Sequence, residues 1–348
     1  MTGGYLDIDD DTRHLARDNF LTREGYGSVN ITALPSDASP RRYYRLEGAG
    51  LMLLEEIPGS PDFDAFLKIS SHLCSLGYSA PHVKAGDAEA GLALIEDFGQ
   101  MTFTHALDEG MDPSDLYSRA VDLLISLHKH PDATRCDLPF FDADILLDEL
   151  TVFADWFVPE IIGQDKGIAD LTRFRDEFLG LWEKPLSPHN KGNTTLTLRD
   201  FHVDNLMLIE EREGMRSCGI LDFQDALIGS PAYDLLSMLQ DARRDLPDDL
   251  EEIMIRRYLE AFPGLDHADF MATYWRLAAQ RHLRIVGVFV RLARRDGKPG
   301  YLQHMPRVLA QARKALNMAR LVEIEAFLEK HLHTWWNWSR QGLRDIRH

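Results

Sequence analysis

The segment from Thr197 to Asp225 constrains the fold of this chain more than any other. An apolar run ending at Leu198 is followed by the polar loop R-D-F-H-V-D-N, and two further apolar runs flank a turn rich in Glu and Gly. This pattern predicts a strand, a loop and then a β-hairpin. Because helical patterns lie on both sides, the chain has to bury a small β-element inside a largely helical region.

Elsewhere in the chain, the pattern of apolar residues changes near Gly99. Before it, extended apolar segments alternate with turn residues, and after it leucines recur at helical spacing. A chain of 348 residues is also too long for one compact core. We therefore predict an α+β fold with a small β-rich N-lobe over residues 1–98 and a larger, mostly helical C-lobe over residues 99–348, joined by a connector near residues 96–100.

The charge of the chain limits its partners. With 38 basic and 56 acidic residues the net charge is −18, which excludes nucleic acid as the main partner and argues against an anionic membrane surface. The N-terminus lacks the apolar core of a secretory signal, and no apolar run approaches the ~20 residues that span a bilayer. The three cysteines are too far apart in sequence to indicate a zinc cluster or a disulfide framework. We expect a cytoplasmic protein that acts on a small molecule as a monomer, with oligomers left open.

Three polar residues of the constraining segment indicate a reaction type. Asn205 and Asp222 stand at neighbouring strand ends, and amide and carboxylate oxygens suit Mg²⁺, which completes its octahedral shell with phosphate oxygens and water. Asp200 precedes Asn205 in the same loop and can accept the proton of a hydroxyl that attacks a phosphoryl group. The loop D-x-x-x-x-N alone is common, but its combination with the strands and the later D-F-Q-D is more specific. The sequence thus favours phosphoryl transfer from ATP with Mg²⁺.

The stretches LRDFHVDNLM and GILDFQDALIGSPAYDLLSML closely resemble the aminoglycoside phosphotransferase superfamily, small-molecule kinases with a protein-kinase-like bilobal fold. Three further stretches, SDASPRRYYRL, LLDELTVFADWFV and QRHLRIVGVFVRLARRDGKPGYL, resemble the bacterial anomeric kinases of N-acetylmuramate and N-acetylglucosamine that serve cell-wall recycling. The resemblance covers roughly residues 15–330. It implies an ATP- and Mg²⁺-dependent kinase whose acceptor is the anomeric hydroxyl of an N-acetylated amino sugar.

The resemblance implies roles for the acidic residues. Asp200 is the catalytic base, and Asn205 and Asp222 hold Mg²⁺ against the nucleotide phosphates. Asp225 contacts metal, water or, as we assign it, substrate. Asp234 is a buried brace for the catalytic loop, with a helix N-cap as the alternative.

Other expected positions lie on helices and loops. His202 is expected to pack or to form a hydrogen bond within the catalytic loop. The acceptor sugar is expected to meet four residues of the helical region: Glu149, Trp156, Arg281 and Arg284. The nucleotide is expected to meet a loop and the hinge between lobes: Ser36, Asp37, Ala38, Ser39, Glu96, Asp97 and Phe98.

The chain departs from the superfamily at three points. Leu198 stands where relatives have His, and the loop SDAS has no glycine. The strand LMLLEEI has Leu54 or Glu55 where a kinase has its phosphate-anchoring lysine. Arg41 and Arg42 are both candidates for that anchor, because an arginine fork can clamp phosphate oxygens, and either can also be a solvated strand residue.

These departures leave two alternatives open. The first is a kinase of another acceptor, such as an aminoglycoside, a choline-like amino alcohol or a different sugar. The second is a catalytically impaired pseudokinase that serves as a binding module, which the missing lysine, glycine and histidine favour. The retention of Asp200, Asn205 and Asp222 together favours the active kinase.

Overall fold

The structure, a computed structural model, describes residues 10–35, 41–162, 168–187, 194–333 and 335–337. The contacts between Cα atoms divide the chain into two compact units. The first comprises Met1–Asp112 and Val203–Ala226, and the second comprises Pro113–His202 and Leu227–His348. Neither unit is one continuous stretch of chain.

The first unit is built on a five-stranded antiparallel sheet with the order β1-β2-β3-β5-β4. The strands are β1 Ile31–Ala33, β2 Arg42–Leu46, β3 Leu51–Glu55, β4 Val83–Asp87 and β5 Leu92–Glu96. Leu53 at the centre pairs with Tyr44 on one side and with Leu94 on the other. These three side chains form one core with Phe20 and Leu21, so apolar burial fixes the register of the sheet.

Three helices belong to the first unit: α1 Asp10–Arg23, α2 Pro61–Ser75 and α3 Phe103–Asp108. Helix α1 supplies Phe20 and Leu21 to the core of the sheet. Helix α2 begins at the cap residue Ser60, whose side chain accepts a hydrogen bond from the backbone N–H of Asp62. Pro61 at the first helical position adds a second start signal, and both were readable in the sequence.

The predicted hairpin is present as β7 Leu206–Leu208 and β8 Cys218–Ile220. It belongs to the first unit, where the N–H of Ile220 donates to the carbonyl of Ser79 at 2.8 Å. A Cβ added at Gly219 would lie 2.9 Å from the Phe98 ring, so glycine is needed for this close approach. These contacts explain why the compact units do not coincide with residues 1–98 and 99–348. The division into lobes at residues 98 and 99 stays a prediction.

The second unit is mostly helical. Its helices are α4 Pro113–Lys129, α5 Ala143–Val152, α6 Val158–Ile162, α7 Ile168–Leu186, α8 Pro231–Leu239, α9 Leu250–Glu260, α10 His267–Arg294, α11 Met305–Met318 and α12 Val322–Leu332. A short antiparallel pair joins β6 Thr195–Thr197 to β9 Leu227–Gly229. The predicted α+β class is confirmed. In the described part of the chain, no helix is both long and apolar enough to cross a membrane.

One glycine sets the distance between two helices of this unit. Helix α5 runs into a π-helical turn, Phe153–Phe157, and α10 packs against that turn. A Cβ at Gly287 would lie 2.4 Å from the carbonyl oxygen of Val152. Only a residue without a side chain permits this separation, which brings the polar residues of α5 within reach of those of α10.

Candidate active site

The loop after β6 is held by a buried carboxylate. Asp234, in the first turn of α8, is fully buried and accepts the backbone N–H groups of Leu198 at 2.7 Å and Arg199 at 2.8 Å. Burial raises the pKa of Asp234 to about 7, although the two N–H groups and Arg281 favour its charged form. Arg199 has a left-handed backbone, with φ at 71°. The brace thus fixes the turn that leads directly into Asp200.

Leu198 occupies the position at which the superfamily has His. Its side chain is 1% exposed, and its backbone N–H is the group that binds Asp234. The position therefore contributes to the loop through its main chain, which any residue but proline can do, and through apolar packing.

Asp200 lies beside arginines of the second unit. Its Oδ1 is 3.5 Å from Nη2 of Arg281, and its side chain is 31% exposed. Desolvation raises the pKa of Asp200, but Arg281, Arg284, His202 and Arg199 outweigh it, and the pKa falls to about 2. Asp200 is therefore fully ionised near neutral pH.

Arg281 is itself fixed from two sides. It is 5% exposed, donates to the hydroxyl of Tyr233 at 3.0 Å, and lies over the Tyr233 ring at 5.2 Å. Phe141 packs edge-on against the same ring with a centroid distance of 4.8 Å. A planar cation held in this way presents a fixed charge to Asp200.

Glu149 joins the same neighbourhood from α5. It forms an ion pair with Arg199, approaches Nε of Arg284 at 3.4 Å, and accepts from Nε2 of Gln280 at 3.1 Å. Gln280 also donates to the carbonyl of Leu146 at 3.0 Å, which ties α10 to α5. We call the five charged residues of this network the arginine cluster: Arg199, Arg281, Arg284, Asp200 and Glu149.

Two further predicted residues of the second unit are Trp156 and His202, and the charge of His202 acts on Asp200. Trp156 is half-buried in the π-helical turn, and among the described residues it has no hydrogen bond to the arginine cluster. His202 is 7% exposed, with its Nε2 at 3.4 Å from Nη1 of Arg243. The role of Trp156 at the acceptor sugar stays a prediction.

The predicted metal residues lie in the first unit. Asn205 ends a short 3₁₀ turn, and its Nδ2 is 3.4 Å from Oδ2 of Asp222. Asp222 is exposed, has a φ of 55°, and accepts from Nε2 of Gln224 at 2.8 Å through its other oxygen. Asp225, three residues on, is exposed as well.

The donor set fits Mg²⁺. The side chains of Asn205 and Asp222 are neighbours, and a rotation that exchanges the amide N–H of Asn205 for its oxygen would offer one amide oxygen and one carboxylate to a bound ion. Among the described residues there is no group of three or more His, Cys, Asp or Glu side chains that would form an all-protein metal cage. Mg²⁺ does not need one, since it commonly takes one or two protein ligands together with phosphate oxygens and water.

The two candidate phosphate anchors differ sharply. Arg41 is 6% exposed, with its Nε at 2.6 Å from Oε2 of Glu56 and its Nη2 donating to the Asp62 carbonyl at 3.2 Å. Arg42 is exposed at the first position of β2. The loop residues Ser36, Asp37, Ala38 and Ser39 lie outside the described residues.

Burial and charge act in opposite directions on Arg41. Burial alone would lower the pKa of its guanidinium. Tyr43, Glu56 and Asp222 outweigh this effect and raise the pKa above its ordinary value, so the group stays charged. At the position expected for lysine, Glu55 instead forms ion pairs with Arg13 and Arg17 of α1. The strand end thus uses its own carboxylate to fix α1.

The residues predicted to form the hinge, Glu96, Asp97 and Phe98, contact side chains that the sequence did not indicate. Arg212, in the β7–β8 turn, pairs with Glu96, donates to Oγ of Ser79 at 2.7 Å, and lies over the Phe98 ring at 5.4 Å. Asp97 binds Arg45 through both oxygens at 2.5 and 3.0 Å. The backbone of the hinge is therefore fixed from the β7–β8 turn and from β2.

Several residues with structural roles in these sites escaped sequence reasoning, among them Glu56, Arg212, Tyr233 and Gln280. Tyr233 and Gln280 directly precede the predicted site residues Asp234 and Arg281. Their position beside these residues could have indicated a role in the site. Arg212 lies in a polar turn, and Glu56 follows another acid, so neither carried a signal.

Solved structures of low identity have the same fold. A choline/ethanolamine kinase family protein from Mesorhizobium loti aligns with a TM-score of 0.59 at 14% identity, over 91% of this chain and 99% of that one. The ADP-bound aminoglycoside phosphotransferase APH(2'')-Ib aligns with a TM-score of 0.57 at 13% identity, over 90% and 99%. The fold is thus the protein-kinase-like fold of small-molecule phosphotransferases.

The chain belongs to the phosphotransferase enzyme family, whose sequence model matches residues 30–271. A curated relative, an N-acetylmuramate/N-acetylglucosamine kinase of Caulobacter vibrioides, is 33% identical over 92% of this chain and 97% of its own length. The resemblance drawn from the motifs is confirmed, and the protein is an enzyme that transfers a phosphoryl group.

Proposed function

We propose that this protein is an ATP- and Mg²⁺-dependent kinase that phosphorylates the anomeric hydroxyl of N-acetylmuramate and N-acetylglucosamine. The observation that supports these acceptor sugars is the similarity to the Caulobacter kinase along nearly the whole of both chains. The likeness to choline and aminoglycoside kinases is one of fold at 13–14% identity, and it favours neither of those acceptors.

In this proposal Asp200 accepts the hydrogen bond of the acceptor hydroxyl. The hydroxyl oxygen forms a bond to the γ-phosphorus as the bond between that phosphorus and the leaving ADP oxygen breaks, and the proton passes to Asp200. With a pKa of about 2, Asp200 is a weak base. It therefore orients the hydroxyl first and takes the proton late, which suits a loose transition state.

Asn205 and Asp222 are the residues that would hold Mg²⁺, and Gln224 fixes the orientation of the Asp222 carboxylate. When bound, the ion neutralises the charge that develops on the phosphate oxygens. Loss of this neutralisation is the reason to expect no turnover when the metal is removed.

Arg41 is the better candidate for the phosphate anchor. A protein kinase holds its anchoring lysine in an ion pair with a glutamate, and Arg41 has such a partner in Glu56. The charge of Asp222 also acts on Arg41, so the guanidinium lies near a residue of the proposed metal site. Arg42 is exposed at the first position of β2.

A phosphoryl-transfer screen tests the function. Purified protein with MgATP is offered N-acetylmuramate, N-acetylglucosamine, an aminoglycoside and choline, and ADP release is followed together with ³¹P NMR of the products. We expect transfer only to the amino sugars, phosphorus coupled to the anomeric proton, and no turnover after chelation with EDTA. Transfer only to choline or the aminoglycoside would overturn the acceptor, and nucleotide binding without any transfer would favour the binding module.

A further inference from the structure

The five-stranded sheet of the first unit has one face packed against α1. Tyr44 of β2 and Leu53 of β3 belong to the core on that face. Because side chains alternate along a strand, Tyr43 and its pairing partner Leu54 lie on the other face. Glu55 returns to the first face, where it pairs with α1. A lysine that reaches a phosphate cannot point into the core, so Leu54 is the position that lacks it, and Tyr43 lies directly beside that position.

The hydroxyl of Tyr43 contacts the candidate phosphate anchor. The side chain of Arg41 is its hydrogen-bond partner, and because a guanidinium has only donors, the phenol oxygen accepts. Burial raises the pKa of Tyr43 above its ordinary 10, against the opposite effect of Arg41, so the phenol is protonated near neutral pH. An oxygen that accepts in this way can still donate its own O–H to a neighbouring oxygen atom.

A stack of rings places this pair near the proposed metal site. The guanidinium of Arg41 lies over the ring of Phe66, in α2, at 5.8 Å. Phe66 stacks on Phe223, with the ring centroids 5.2 Å apart and the planes at 14°. Phe223 directly follows Asp222, the carboxylate proposed for Mg²⁺. The charge of Asp222 acts on both Arg41 and Tyr43, so both side chains lie near the region expected for the metal-bound phosphates.

Arg41 alone is an incomplete replacement for the kinase lysine. Its Nε is 2.6 Å from Oε2 of Glu56, and its Nη2 donates to the carbonyl of Asp62 at 3.2 Å. A guanidinium held by the protein through two of its nitrogens cannot offer its whole fork to a phosphate. The loop SDAS also lacks the glycines of a kinase phosphate loop. A second donor beside Arg41 would therefore complete the phosphate site.

We propose that the hydroxyl of Tyr43 donates a hydrogen bond to a phosphate oxygen of ATP, and that Tyr43 and Arg41 together replace the lysine that β3 lacks. This inference rests on the proposed function and adds a nucleotide-binding residue to it. Arg41 supplies the positive charge. Tyr43 supplies a neutral donor whose position is fixed by the pairing of β2 with β3. The pair recognises the phosphates of the nucleotide and not its base.

The test measures the binding of MgATP and of adenosine by titration calorimetry in the wild type and in Tyr43→Phe, which removes one oxygen and keeps the ring. We expect the Kd for MgATP to rise about 10- to 100-fold, the range for a hydrogen bond to a charged group. The Kd for adenosine, which has no phosphate, should change by about twofold or less. Tyr44→Phe is the matched control, because it makes the same change at the next position of β2 on the face toward α1, and it should leave both Kd values unchanged.

A second variant separates contact from orientation. If Tyr43 contacts the phosphate itself, Arg41→Met with Tyr43→Phe should bind MgATP more weakly than Arg41→Met alone. Equal binding by these two variants would mean that the hydroxyl only orients Arg41, and it would overturn the inference. An unchanged Kd for MgATP in Tyr43→Phe, or an equal loss for MgATP and adenosine, would overturn it as well.

These binding measurements need neither an acceptor sugar nor turnover. If the wild type binds MgATP but phosphorylates neither amino sugar, the proposed function is overturned, while the comparison of Tyr43→Phe with Tyr44→Phe still decides the inference. A wild type that does not bind MgATP would overturn both.

Discussion

The two units surround their key carboxylates in opposite ways. In the first, Asp222 is exposed and meets the side-chain amides of Asn205 and Gln224. In the second, Asp200 lies among arginines that lower its pKa to about 2. The neutral amides around Asp222 do not balance its negative charge, so a cation can bind there. The charge of Asp200 is balanced by arginines of the protein itself. In the proposed mechanism, these different surroundings would suit Asp222 to a metal ion and Asp200 to a hydroxyl.

The largest effect is expected from Asp200→Asn, which tests the role proposed for the carboxylate of the second unit. The amide keeps the shape but cannot take a proton, so we expect kcat to fall by about 10² to 10⁴. Binding of MgATP, measured by calorimetry, should stay close to that of the wild type, because the proposed nucleotide residues belong to the other unit. Turnover near the wild-type rate in a variant with an unchanged Tm would refute the assignment of Asp200.

A smaller effect is expected from the phosphate anchor of the first unit. Arg41→Met should raise KM for ATP about 10- to 100-fold, because one charged contact to phosphate is lost. Arg42→Met is the control: it sits next in sequence but is exposed, and we expect less than about a twofold change. The opposite ranking, with Arg42 the more damaging, would transfer the role to Arg42. Since Arg41 is buried against Glu56, Tm is measured alongside to separate binding from folding.

A third prediction concerns the stability of the fold and Asp234, the second unit's buried counterpart to Asp200. Its pKa is about 7 in the folded protein against an ordinary 3.8. Between these values the folded protein keeps a proton that the unfolded chain has released, so stability falls as pH rises. Asn at this position cannot titrate. The difference between the unfolding free energies of the wild type and Asp234→Asn should decrease by about 1.4 kcal/mol per pH unit up to about pH 7 and then level off.

Urea unfolding from about pH 5 to about pH 8 measures this difference. Subtraction is needed because buried His128 and His282, with pKa values lowered by desolvation to about 3, make stability rise with pH below their ordinary 6.5. Both are present in wild type and variant, so their contribution cancels. A difference that is flat across the range would mean that Asp234 is ionised throughout.

Much of this molecule was predictable from local sequence. The alternation of apolar runs and turns gave the β7–β8 hairpin, and the change of texture near Gly99 gave the α+β class. The spacing of Asp200, Asn205 and Asp222 indicated phosphoryl transfer, because few other reactions need a base, an amide and a metal-binding acid in that order.

The missed residues have a common physical reason. Glu56 matters because the fold brings it to Arg41, and Gln280 because Gly287 lets α10 approach α5. Such pairs depend on tertiary distances that no local pattern contains. The division into compact units depends on contacts of the same kind, since the hairpin joins Ser79 through a backbone hydrogen bond that needs no particular side chain.

The division of the chain has a consequence for how the protein is made. Residues 203–226 complete the first unit, yet they follow the whole of 113–202 in sequence. When only Met1–Asp112 has emerged from the ribosome, Ser79 and Phe98 therefore still lack the hairpin residues that they contact in the folded protein. The first unit reaches its final form only after about two-thirds of the chain has emerged, and contacts between such distant segments form more slowly than local ones.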